Sequence, residues 1–416
     1  MANVLTSGLG LVYWGLAARL YSAEELGGEA ALISTMQFLS YLTQLNLRVA
    51  LVRFVPEAGN HTARFVALSF FASGLAAFVV STAFILVIRT FLPGSSQLST
   101  LFQPAFAVWF ILSTVAWSFF TLQDGLLTGL RRASIVPLEN GLYSVAKIGL
   151  LILFAVALDR YAIFLSWTIP SLMLVIAVSV YAFGRLIPRH ARMTANRQSM
   201  MRPRRLVAFL ALDYVASLFP TLSVSLLPIL IVAAVGPGPG AHFYIAWVLV
   251  TSLQLVPNYL AASLTVEAVG DMAGFVRHAR RTIIHMLKLL VPAVLVLALA
   301  SPIVLSVFGP DYAAEGSDLL RVALLGLVPY GVNILFVGIA RVQGRGRIIV
   351  AVHAGIALST LTLTAALVPL LGITGVGVAW LLSNSAMCLV VVVYGLKPFF
   401  ALKGPPPTGT AARSGR

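Results

Sequence analysis

Apolar runs of about 20 residues, each long enough for one bilayer crossing, recur along the whole of this chain. Twelve can be drawn: 1–20, 28–52, 64–91, 103–122, 138–158, 161–184, 206–235, 241–264, 282–307, 318–340, 347–371 and 373–396. A soluble protein with buried helices would instead show runs of about 10–14 residues broken by charged faces. Composition agrees with the membrane reading. Only 10% of the 416 residues are charged, where a soluble domain needs about 25% to cover its surface. Mean hydropathy is +0.96. The expected fold is an all-α membrane protein of about twelve transmembrane helices.

Residues 1–20 have no basic lead segment, and their apolar run continues to Arg19–Tyr21. They read as a first helix that starts abruptly rather than as a signal peptide. Either that helix begins at the membrane surface or residues precede Met1. Reversals rich in Gly and Pro divide later spans: Leu92–Ser96, Gly236–Gly240 and Gly372–Gly375.

Orientation follows from the 28 Lys and Arg. The loops after the even-numbered spans and the C-terminal tail hold 22; the opposite loops hold four, Arg19, Arg89, Arg160 and Arg321. The excess of basic residues marks the cytoplasmic side, so both termini are expected there. The net charge of +15 reflects this asymmetry, not a nucleic-acid partner. Seven arginines between Arg185 and Arg205 form a basic linker, read as a topology determinant resting on anionic membrane lipids. The domains expected are a six-helix bundle over 1–185, a cytoplasmic linker over 186–205, a second bundle over 206–396 and a disordered cytoplasmic tail over 397–416.

The two halves look like a repeat. Gly27 and Gly240 open the second span of each half, Glu57 and Glu267 follow those spans, and Arg131 and Arg341 follow the fourth. Six spans per half keep both halves in one orientation. Such parallel repeats are related by a pseudo-two-fold axis along the membrane normal, with substrate expected at the repeat interface.

Missing motifs prune enzyme readings. The chain has no phosphate-binding G-x-x-x-x-G-K-[ST], no H-E-x-x-H and no paired-aspartate diphosphate motif. Its one cysteine, Cys388, rules out an internal disulfide. No long extracytoplasmic loop is present to host catalysis, which disfavours a membrane-embedded glycan polymerase or ligase. The G-x-x-x-D-R-x-G-R-R loop of general sugar transporters is absent as well; Glu57-Ala58-Gly59-Asn60-His61 stands there.

Four segments carry a resemblance. They are Ala17–Gly27 (AARLYSAEELG), Leu51–Glu57 (LVRFVPE), Phe308–Ala313 (FGPDYA) with Leu319-Leu320-Arg321, and Pro369–Trp380 (PLLGITGVGVAW). In this order and spacing the chain resembles the oligosaccharide flippases of the multidrug/oligosaccharidyl-lipid/polysaccharide (MOP) superfamily. One departure is Asn46-Leu47-Arg48, where a Gly-containing turn is expected. The resemblance implies two six-helix bundles, alternating access, no ATPase partner and no cofactor. It implies an undecaprenyl-diphosphate-linked oligosaccharide as cargo, polysaccharide polymerase and glycosyltransferases as partners, and the bacterial inner membrane as location. A cation-coupled multidrug exporter of the same superfamily is the alternative.

Charged residues inside spans are the expected lining of a polar path. Lys147 lies near the midplane of span 5, where a cation suits a diphosphate or pairs with a carboxylate or carbonyl of the bundle. Arg48, near the inner end of span 2, and Arg53 and Arg19, at span ends, are further phosphate candidates, because a guanidinium donates two parallel hydrogen bonds. Asp213 reads as the one carboxylate well inside a span. With Pro220 expected to break or kink that helix, it is a candidate site for an H+ or Na+ coupling ion, or else a structural acceptor for His353. On this inventory the interior leans cationic and favours an anionic cargo.

Overall fold

A computed structural model describes residues 2–91, 99–158, 160–194, 203–270 and 274–401; the side chains of 2–7, 91, 99, 203–213, 268–270 and 401 are not considered. Among these residues the chain is helical throughout, with no strand. The helices are α1 (Ala2–Leu20), α2 (Ala23–Thr43), α3 (Leu47–Phe54), α4 (Thr62–Phe91), α5 (Pro104–Gly129), α6 (Ile135–Ala157), α7 (Ala162–Tyr181), α8 (Ile187–Met193), α9 (Pro203–Val235), α10 (Pro237–Leu253), α11 (Leu255–Gly270), α12 (Phe275–Leu299), α13 (Ser301–Ser306), α14 (Pro310–Leu325), α15 (Leu327–Val342), α16 (Gly346–Leu371), α17 (Thr374–Val390) and α18 (Lys397–Ala401). Ten helical segments among the described residues are long and apolar enough to cross a membrane; α1 and the α2–α3 pair supply the other two of twelve passes. The chain divides into two compact units, residues 1–214 with 228–241, and residues 215–227 with 242–416.

Local sequence accounts for the helix ends. Ser22 caps α2 and Glu25 closes the capping box: the Glu25 N–H donates to Ser22 Oγ and the Ser22 N–H to Glu25 Oε2. This explains the acidic turn before Gly27. The second pass is broken where the departure from the family pattern lies. Leu45 and Asn46 take left-handed backbone angles, φ 49° and 58°, so α3 starts afresh at Leu47. Asn tolerates that region at little cost; a leucine there is strained.

Four expectations need correction. Pro220 does not break its helix: α9 runs unbroken from Pro203 to Val235, because the turns on either side of a proline can keep the remaining bonds in a membrane helix. Residues 186–194 are not free linker. Ile187 and His190 of α8 are buried, and His190 Nε2 donates to the Val55 carbonyl across 3.1 Å. Of the reversal at Gly236–Gly240, only Gly236 is a turn (φ 97°); Pro237 starts α10, where its missing N–H costs nothing. The tail expected over 397–416 begins as helix α18. Its residues 402–416, like linker residues 195–202 and the reversal at 92–96, lie outside the described residues.

Candidate functional site

The core of the first unit is threaded by one face of α6. Glu139, Tyr143, Lys147 and Leu151 recur every four residues and are all buried, as one stripe of a helix requires. Lys147 stands twelve residues after the first residue of α6, about 18 Å along a helix rising 1.5 Å per residue, and so in the middle third of a bilayer crossing.

Three rings surround it. Lys147 Nζ lies 3.7 Å from the centroid of Trp167, 4.6 Å from Tyr13 and 5.1 Å from Tyr143. These rings come from α7, α1 and α6. Their polar ends are turned elsewhere: Tyr13 Oη donates to the Ile163 carbonyl at 3.0 Å, and Tyr143 Oη to the Trp167 carbonyl at 3.2 Å. Trp14 and Trp117 pack edge-on or tilted behind them. Each ring offers its negative π face to the ammonium, worth about 2 kcal/mol when desolvated.

What is missing around Lys147 matters as much. Among the described residues Lys147 makes no ion pair and no hydrogen bond. The expected alternative, pairing with a carboxylate or carbonyl of the bundle, is therefore not what the structure shows. The Trp167 Nε1–H is also buried without an acceptor.

The three arginines do not join this site. Arg48, Arg53 and Arg19 are all exposed. Arg48 lies beside α5, where a side chain on Gly125 would meet its backbone, and it acts electrostatically on Asp124. Arg53 covers the Phe54 ring at 5.8 Å. Arg19 closes the last turn of α1. In the second unit His353 Nδ1–H donates to the Ala216 carbonyl at 3.0 Å, and its Nε2 is buried with no partner. Pro220 is exposed. The side chain of Asp213 lies outside the described residues.

Asp213 is not alone as a carboxylate in a span. Glu29 (α2), Asp124 (α5) and Glu139 (α6) all lie within helices, and Glu29 and Glu139 are 7% and 3% exposed. The span expected over 103–122 stops short of Asp124, whereas α5 runs on to Gly129; Glu29 and Glu139 lie at the second residue of the spans expected over 28–52 and 138–158. The i, i+4 spacing of Glu139, Tyr143 and Lys147 was the signal available. Glu29 is satisfied structurally: its Oε2 accepts the Phe164 N–H, at 2.6 Å, in the first turn of α7, where free N–H groups favour an anion.

Residues 269–365 match the MatE family model; no curated protein matches the chain in sequence. Three solved structures are similar over nearly the whole length. A multidrug resistance MATE family transporter of the MOP superfamily, inward-facing, shares 17% identity at TM-score 0.72 over 94% of this chain and 95% of that one. The lipid II flippase MurJ, inward closed, shares 14% at TM-score 0.73 over 96% and 88%. A MOP superfamily transporter from Pyrococcus furiosus, described by a reversed polarity of its binding pocket, shares 15% at TM-score 0.64 over 97% and 95%. The chain is a multi-pass membrane protein with the fold of the MOP superfamily transporters.

Proposed function

We propose that this protein is a transporter of the MOP superfamily and that its cargo is a lipid-linked oligosaccharide carrying a diphosphate, moved by alternating access of its two halves. One observation carries the reading: Lys147, buried in the core of the first unit, rests its Nζ on the Trp167 ring, and the Trp167 Nε1–H is buried with no hydrogen-bond partner among the described residues. Leaving a buried cation unanswered is costly, whereas an anionic guest answers both donors at once. The flippase segments in the sequence and the fold shared with MurJ support the lipid-linked cargo.

A cation-coupled multidrug exporter is the second reading. Buried carboxylates in the first unit favour it, but Glu29 is engaged in holding α7. Reconstituted vesicles discriminate. Fluorescent diphosphate-linked oligosaccharide on the outer leaflet is expected to cross with the native protein and not with Lys147→Met. Cationic dye uptake driven by an ion gradient, undiminished in Lys147→Met, would replace the flippase reading by the exporter.

A further inference from the structure

Glu139 is a buried ionisable group for which neither the fold nor the proposed cargo site supplies a use. It is 3% exposed, and both carboxyl oxygens are fully enclosed without a hydrogen-bond partner among the described residues. Glu29, equally buried, accepts a helix N-terminal N–H. Glu139 accepts none, although it sits one turn into α6.

Its electrostatic neighbour makes an ionised state worse. Asp124 on α5 is close enough to act on it. Asp124 has its own support: Asn140 Nδ2 donates to its Oδ1 at 3.5 Å, and Arg48 on α3 acts on it. Among the described side chains, the two helices packed most heavily on α6 bring no charge to this end of it. α1 carries only Arg19, at its far end, and α7 carries none, with Tyr181 as its last residue. Lys147 is eight residues further along α6, about 12 Å away on the helical rise. So of two neighbouring carboxyls one has a donor and a cation while the other has a like charge and an apolar surround. In such a pair the single proton belongs to the unsupported member.

We infer that the Glu139 carboxyl is a proton-binding site of the first unit, occupied in this packing and emptied when water or a cation reaches that end of α6. The ligand is a proton rather than a metal ion, because a metal would need several oxygens turned inward and the Asp124 carboxyl accepts from Asn140. This inference does not depend on the identity of the cargo.

N,N′-dicyclohexylcarbodiimide tests it on the full chain, since the reagent partitions into membranes and adds only to protonated carboxyls. Peptide mapping is expected to find the label on Glu139 at neutral pH, falling as pH rises, with sodium giving no protection. Infrared spectra should show a protonated carboxyl band that Glu139→Gln removes while the variant melts at the native temperature. Absence of label on Glu139 together with an unchanged band in Glu139→Gln would overturn the proposal. Protection by sodium at constant pH would overturn it too, by making the site a metal-cation site.

Discussion

The Nζ of Lys147 rests 3.7 Å from the centre of the Trp167 ring, on a helix that the sequence places 20 residues away. Ring faces attract a cation but do not discharge it, so the proposed anionic cargo would supply what the rings do not. Two consequences separate a binding role from a packing role. Lys147→Met removes the charge and keeps the stem, so thermal stability should hold or rise, because an unpaired ammonium is costly to bury. Thermal unfolding in detergent checks this. A fall in melting temperature would make Lys147 a structural residue.

Trp167→Phe keeps a ring under the ammonium and deletes the unpartnered Nε1–H. Folding should survive, since no protein hydrogen bond is lost. Transport should weaken about tenfold, the effect of one hydrogen bond of about 1.4 kcal/mol to a charged guest. Initial rates against cargo concentration measure it, and an unchanged rate would remove Trp167 from the cargo site.

The passes were legible because hydropathy integrates over about 20 residues, and that same averaging hid the carboxylates. A single acid near the end of an apolar run shifts the drawn boundary rather than standing out inside it; Asp124 was lost in this way, while Glu29 and Glu139 stand at the second residue of the spans drawn over 28–52 and 138–158. Lys147 was legible because apolar residues flank it on both sides. Its cage was not, because Tyr13, Tyr143 and Trp167 meet only after three helices pack. Pro220, expected to break or kink its helix, causes no break, because α9 continues through it. The left-handed turn at Leu45–Asn46 is the reverse case: the missing glycine was noticed, and the backbone makes the turn without it.

Gly27 leaves no room for a side chain. Within the first unit a Cβ there would overlap the Pro237 carbonyl and lie 2.8 Å from the Ala241 nitrogen, both backbone atoms of α10. Gly28, one residue on, has nothing within 4 Å. Gly27→Val should therefore destabilise by about 3 kcal/mol or more, at the upper end of overpacking costs, while Gly28→Ala should be neutral or slightly stabilising as a helix-interior replacement. Membrane abundance and melting temperature of the two variants test the contrast. Equal values would mean that the α2–α10 approach gives way freely.

Orientation rests on the basic residues, which can be tested without reference to cargo. Reporter fusions at Arg197 and after Lys403 are expected to show cytoplasmic activity at both positions, given the 22-to-4 split. A periplasm-only reporter active at either place would reverse the topology, and with it the side from which Glu139 is reached.

The last prediction concerns lipid. A cavity of about 360 Å³ is lined by Gly184, Arg185, Arg189, Arg192 and Met193. The arginines recur at i, i+4 and i+7, so they share one helix face, while Ile187 and His190 are buried on the other side and Val55 holds His190. Arg189 and Arg192 of α8, with Arg185 two residues before its start, therefore present three exposed guanidinium groups beside an exposed Met193 at the expected cytoplasmic surface. Each basic residue close to an anionic leaflet contributes about 1 kcal/mol, so replacing three should lower retention of an acidic phospholipid by about two orders of magnitude. Native mass spectrometry of the purified chain with phosphatidylglycerol should show bound lipid lost in Arg185→Ala/Arg189→Ala/Arg192→Ala and kept in a matched variant at Arg277, Arg280 and Arg281. Equal loss in both would assign lipid retention to overall charge rather than to this cavity.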